Sequence, residues 1–104
     1  MAIIAASNSN LNLKKIFSVI PKIKPVKGRF EKISKIKNKS KVILDYAHTP
    51  DALEMCLLNL KEQFPDKKII LLFGCGGNRD QNKRSKMGKI ASNYSDKIYL
   101  TNDN

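Results

Sequence analysis

Apolar residues along this chain fall into short blocks, and the spacing within the blocks alternates between two kinds. Val42-Ile43-Leu44, Ile69-Ile70-Leu71-Leu72-Phe73 and Ile98-Tyr99-Leu100 are compact runs bounded by polar or turn-forming residues. Such runs predict strands, here over Val42 to Asp45, Ile69 to Phe73 and Lys97 to Thr101. Between them the period lengthens to that of a helix. Leu53, Leu57, Leu60 and Phe64 form one stripe, behind Thr49 as N-cap, Pro50 at the first helical position and Asp51 in the first turn. An acid there meets the positive end of the helix dipole. Met87, Ile90, Ala91 and Tyr94 form a second stripe, with Ser85 as the predicted cap. Strand, helix, strand, helix, strand predicts an α/β fold, a Rossmann-like β-α-β-α-β unit of parallel strands joined by right-handed crossovers.

The chain before this unit is less regular. Leu11 to Ile20 predicts a short amphipathic helix, with Leu13, Ile16, Phe17 and Ile20 on one face and Asn10 as its cap. Pro21 and Pro25 end it, and residues 21–28 read as a linker. A strand is expected over Arg29 to Ile36, followed by the polar connector Lys37 to Lys41.

Each strand of the regular unit runs into a polar loop. The first loop is Asp45-Tyr46-Ala47-His48-Thr49-Pro50-Asp51, the second Gly74-Cys75-Gly76-Gly77-Asn78-Arg79-Asp80, and the third Thr101-Asn102-Asp103-Asn104. Open α/β sheets bind ligands at the carboxyl ends of their strands, so the three loops predict one composite site. Glycines in the second loop let backbone approach a ligand closely. That loop is neither a Walker A sequence nor a dinucleotide fingerprint, since Arg79 stands where the third glycine of the latter belongs. An arginine at such a position can grip a carboxylate through two parallel hydrogen bonds. The bland alternative is a solvated basic loop of Arg79, Asp80, Lys83 and Arg84. His48 beside Asp45 on the rim of a site reads as a polar ligand contact at least as readily as a surface residue. Cys75 and Cys56 have no assigned base and read as small core residues rather than nucleophiles.

Composition narrows the classes. With 104 residues the chain holds one modest domain, or one domain and part of another, and 41% hydrophobic content is enough for a core. No apolar run approaches the ~20 residues of a membrane span, and Met1 to Ala6 lacks the basic start of a signal peptide, so a cytoplasmic location is expected. The two cysteines give no disulfide framework and no zinc pattern, and no metal site is expected within the chain. A net charge of +11 invites a nucleic-acid reading. The basic residues, however, are almost all lysines spread along the whole chain, and stacking platforms are missing, so nucleic acid is not the expected partner.

Four blocks occur in an order that resembles the Mur ligase family: Gly28-Arg29-Phe30-Glu31, Asp45 to Leu53, Phe73 to Asp80 with Lys83-Arg84 and Met87-Gly88, and Thr101 to Asn104. The third block is similar to the branch that adds the third residue of the peptidoglycan stem peptide. The resemblance implies a fragment of a three-domain enzyme. Residues 1–27 resemble the end of a central ATPase domain and linker, and residues 28–104 the start of a Rossmann-like carboxyl-terminal ligase domain. Met1 is then expected to be internal.

It also implies a reaction. ATP, with Mg2+, phosphorylates the side-chain carboxyl of D-glutamate in UDP-MurNAc-L-Ala-D-Glu, and the amine of meso-diaminopimelate attacks the acyl phosphate. By the same resemblance Arg29 is catalytic and reaches the ATP phosphates, Asp45 holds the ribose, and His48 lies in the same nucleotide-facing loop. Arg79, Asp103 and Asn104 would bind the incoming amino acid. The family's P-loop and metal-holding carbamylated lysine lie outside the matched blocks, so the chain alone is expected to be inactive. The whole enzyme is expected to be a monomer that binds neither nucleic acid nor membrane. Three positions depart from the family: Ser85 stands for a proline, Asn78 for an aspartate, and the Pro-Arg that completes the fourth block is not reached. The alternatives are another Mur-type or folylpolyglutamate-type ligase with a different acceptor, or a module that binds a nucleotide or anion without catalysis.

Overall fold

The structure, a computed structural model, describes residues 2–24, 26–35, 40–76 and 82–102. Its helices are α1 (Ala2–Asn8), α2 (Leu13–Val19), α3 (Pro50–Gln63) and α4 (Asn82–Tyr94). Its strands are β1 (Glu31–Lys35), β2 (Lys41–Leu44), β3 (Ile70–Phe73) and β4 (Lys97–Leu100), and a 3-10 turn covers Ile20–Lys22.

The expected α/β unit is present. β3 and β4 pair in parallel, in register from Ile70 opposite Lys97 to Phe73 opposite Leu100, with α4 as their crossover. Asp96 fastens the entry to β4: its Oδ2 accepts from the Ile69 amide at 2.7 Å, while its own amide donates to the Ile69 carbonyl at 2.9 Å. Leu53 and Leu57 of α3 meet Met87 of α4, and Leu71 and Phe73 of β3 pack against that cluster. Tyr94 ties the two helices together, its hydroxyl donating to Glu54 Oε1 at 3.0 Å.

Among the described residues β2 is not hydrogen-bonded to the parallel pair of β3 and β4. It pairs with β1, antiparallel, from Glu31 opposite Leu44 to Lys35 opposite Lys41. The connector between these strands is too short for the crossover that parallel neighbours require, so only a hairpin can form. The register shifts between Lys32 and Ser34, so the ladder is irregular there. Two lysines of the hairpin, Lys41 and Lys32, lie 4.0 and 5.9 Å from the ring centre of Phe64 at the end of α3. Phe64 therefore completes the α3 stripe against cations rather than within the buried cluster.

Caps explain where the helices begin. Thr49 caps α3 as expected, its Oγ1 accepting from the Ala52 amide at 3.3 Å. Ser85 does not cap α4, which already starts at Asn82; its hydroxyl donates to the Asn82 carbonyl inside the helix. Asn10 does not cap α2 either. It takes a left-handed φ of 58°, and Asn12 caps instead, accepting from the Lys14 amide at 2.9 Å. Leu11, Ile16 and Ile20 then line an apolar groove of about 310 Å³ with Ile3, Val19 and Ile23, while Leu13 and Phe17 stay exposed.

Candidate functional site

The carboxyl end of β2 and the turn before β1 fold onto each other. Residues 26–31 make a tight turn in which Gly28 has φ 70° and the Arg29 amide donates to the Val26 carbonyl at 3.2 Å. Two carboxylates close it. Glu31 Oε2 accepts from the Gly28 amide at 2.6 Å, and Asp45 Oδ2 accepts from the Phe30 amide at 2.7 Å. Phe30 is left-handed, with φ 46°. That conformation costs a residue with a Cβ roughly 1–2 kcal/mol. A hydrogen bond to a charged acceptor contributes about 1.5–3 kcal/mol, so the Asp45 carboxylate is able to hold the turn. Bond and strain nearly cancel, and the chain is left with Arg29 fixed between two pinned residues.

The side chain of Arg29 is exposed and lies over the Tyr46 ring, with Cζ 4.9 Å from its centre. The ring of His48 sits 5.2 Å from that of Tyr46 at an angle of 57°. His48 Nδ1 is 3.1 Å from the Tyr46 carbonyl oxygen. Because a carbonyl only accepts, this bond places a proton on Nδ1. Asp45 is also felt on α3. Burial, followed by the negative charge of Asp45, pushes the Cys56 thiol up to about 11, which keeps it a thiol near neutrality.

The second and third loops adjoin each other at the far ends of β3 and β4. The Thr101 amide donates to the Phe73 carbonyl at 3.1 Å, which sets Thr101 and Asn102 beside the start of the glycine loop. Cys75 leans inward, its thiol 3.6 Å from Met87 Sδ, in keeping with a packing role. Lys83 and Arg84 open α4.

Arg29, Asp45 and His48 are thus brought together. Arg79, Asp103 and Asn104 lie outside the described residues. Sequence reasoning gave no role to Glu31, Phe30 or Tyr46. The signal for Glu31 was available, since an acid two residues after Arg29 and three after a glycine is placed to close a turn on the glycine amide. Among the described residues no three His, Cys, Asp or Glu side chains converge. A phosphate-bearing ligand does fit the chemistry of the turn, which presents an exposed guanidinium.

Comparison with known proteins settles the family. Residues 28–104 match the family model described as Mur ligase, glutamate ligase domain. The chain belongs to the Mur ligase family. Among curated Mur ligases, the UDP-N-acetylmuramoyl-L-alanyl-D-glutamate--2,6-diaminopimelate ligase of Alkaliphilus oremlandii is 49% identical over 94 residues, covering 90% of this chain and 19% of the relative. The ligase of the same name from Buchnera aphidicola is 50% identical over 95 residues, covering 91% and 18%. That of Leptospira interrogans is 41% identical over all 104 residues, 20% of its own length. A solved structure of a ligase of this name superposes with a TM-score of 0.66 at 36% identity, over 99% of this chain and 20% of that one. The chain therefore spans about a fifth of the length of the relatives it matches. This Mur ligase chain is thus an α/β unit with a parallel strand pair, and among its described residues no helix is long and apolar enough to cross a membrane.

Proposed function

We propose that this chain is part of a cytoplasmic, ATP-dependent amide ligase that adds meso-diaminopimelate to UDP-MurNAc-L-Ala-D-Glu during peptidoglycan synthesis. In this reading residues 1–27 end a central ATPase domain, and residues 28–104 begin the ligase domain. The γ-phosphoryl group of ATP passes to the side-chain carboxylate of D-glutamate, giving ADP and an acyl phosphate. The amine of the diamino acid then attacks the acyl carbon, and phosphate leaves as the amide forms.

The observation that carries the reading is the gathering of Arg29, Asp45 and His48 around one pinned turn. Arg29 supplies positive charge to the phosphates, where transferring phosphoryl oxygens need it. Asp45 serves a ribose hydroxyl, while its Oδ2 stays on the Phe30 amide. Arg79 grips the carboxylate of the incoming amino acid, with Asp103 and Asn104 in the same subsite. ATP binds with Mg2+, which supplies charge neutralisation at the phosphates, and the metal is held outside the described residues. The working enzyme is a monomer.

A chimera tests this. Residues 28–104 replace the matching stretch of the Alkaliphilus oremlandii ligase, and ATP-dependent joining of diaminopimelate to the UDP-linked dipeptide is followed. Joining is expected, and Arg79→Ala should raise the KM for diaminopimelate at least tenfold while changing that for ATP little. A folded chimera that binds the UDP substrate yet joins no amino acid would overturn the reading. The 104-residue chain alone should show no joining.

A further inference from the structure

Arg29 is held at both ends, and only one end is explained by the backbone. Glu31 and Asp45 fix the turn through the amides of Gly28 and Phe30, which sets the direction in which the Arg29 side chain leaves the chain. A long side chain on a fixed backbone still has several rotamers to lose. The tip needs its own restraint, and one exposed ring provides it.

We propose that Tyr46 is the positioning residue for Arg29: its ring carries the guanidinium, with Cζ 4.9 Å from the ring centre, and fixes where the arginine presents its N–H groups to a phosphate. Tyr46 is 64% exposed, so burial does not account for an aromatic there. The ring is itself braced. His48 packs against it at 5.2 Å and bonds to the Tyr46 carbonyl through Nδ1. Arg29 and His48 therefore both contact the Tyr46 ring, the His48 ring at a tilt of 57°, and the contacts run from the turn before β1 to the loop before α3. Stacking suits a guanidinium because it engages the flat face and leaves the edge N–H groups free to form a fork. The cost of ordering Arg29 is then met before a nucleotide arrives, which is how preorganised charge contributes to phosphoryl transfer. The proposal rests on the nucleotide-facing reading of Arg29 given above.

Two measurements test it. In the 104-residue chain, ring current from Tyr46 should move the Arg29 δ and ε proton resonances upfield. Tyr46→Leu should abolish that shift, and Tyr46→Phe should keep it. Unshifted Arg29 resonances in the parent chain overturn the proposal. In the chimera, Tyr46→Leu should raise the KM for ATP about threefold to fivefold, the worth of an exposed cation–π contact, with the KM for diaminopimelate unchanged. Tyr46→Phe should restore the parental value, since the face of the ring and not the hydroxyl is used. A parental KM in Tyr46→Leu beside a damaged Arg29→Ala overturns positioning alone. A parental KM in Arg29→Ala overturns the nucleotide reading of that arginine, and with it the purpose of these contacts.

Discussion

Residues 2–24 and residues 40–102 are both supplied with apolar side chains, yet they use them differently. In the first region α1 and α2 are seven residues each, and none of the side chains described there is buried. Ile4, Leu13, Phe17 and Ile23 face solvent, and the groove beside them is open. In the second region α3 and α4 run for 14 and 13 residues, and Leu57, Met87 and Ala91 are essentially inaccessible. Local helix propensity does not separate them. Distant partners do: α3 and α4 have each other and β3 to cover their stripes, whereas helices shorter than ~12–15 residues are marginal without such cover.

The largest test of this contrast is a pair of truncations. Leu57→Ala removes a side chain that is 1% exposed and should lower unfolding stability by about 2–5 kcal/mol in urea titration. Ile16→Ala, on the half-exposed wall of the groove, should change it by no more than about 0.5 kcal/mol, as for a surface site. Comparable losses for the two would break the contrast and place the first region in the same cooperative unit as the second. A smaller effect of opposite sign is expected from Gly88→Ala. Gly88 lies inside α4, is exposed, and a Cβ there would meet nothing within 4 Å. Replacing it should raise stability by roughly 0.5–1 kcal/mol through helix propensity alone. A loss on this substitution would mean that α4 contributes less helix to the folded unit than its packing implies.

The same contrast decides how much of the molecule was legible in the sequence. The stripes on α3 and α4 were readable because their buried faces have period and length, and the Thr49-Pro50-Asp51 start is a strong local signal. The partner of β2 was not inferred, although the shortness of the connector after Ile36 already required an antiparallel neighbour. Caps failed where two candidates stood close together: Asn12 prevailed over Asn10 because Asn10 is itself turned left-handed, and Ser85 lost its role when α4 started a turn earlier. α1 was not foreseen, since a helix covered mainly by a neighbouring short helix has little stripe to recognise. In the site, the gathering of Arg29, Asp45 and His48 was expected from resemblance, but its cause was not. No local pattern shows that a phenylalanine at residue 30 is left-handed or that Asp45, fifteen residues away, holds its amide.

The smallest effect concerns the seam between α3 and α4, and it is read by pH rather than by truncation. The bond from Tyr94 to Glu54, the negative charge of Glu54 and partial burial all hold the Tyr94 phenol above its usual range. The folded state therefore keeps this proton more tightly than the unfolded chain does. Such a group stabilises fully below the unfolded phenol value of about 10, and its contribution fades as pH rises through the higher folded value. Cys56, pushed up to about 11, acts with the same sign over an overlapping range, so the comparison belongs in a Cys56→Ala background. There the urea midpoint should fall as pH is raised beyond about 10, and Tyr94→Phe should remove that part of the fall while lowering the midpoint slightly at neutral pH. A parental slope retained in Tyr94→Phe would mean that the two helices are joined by their buried leucine and methionine contacts alone, with the hydrogen bond adding nothing to the seam.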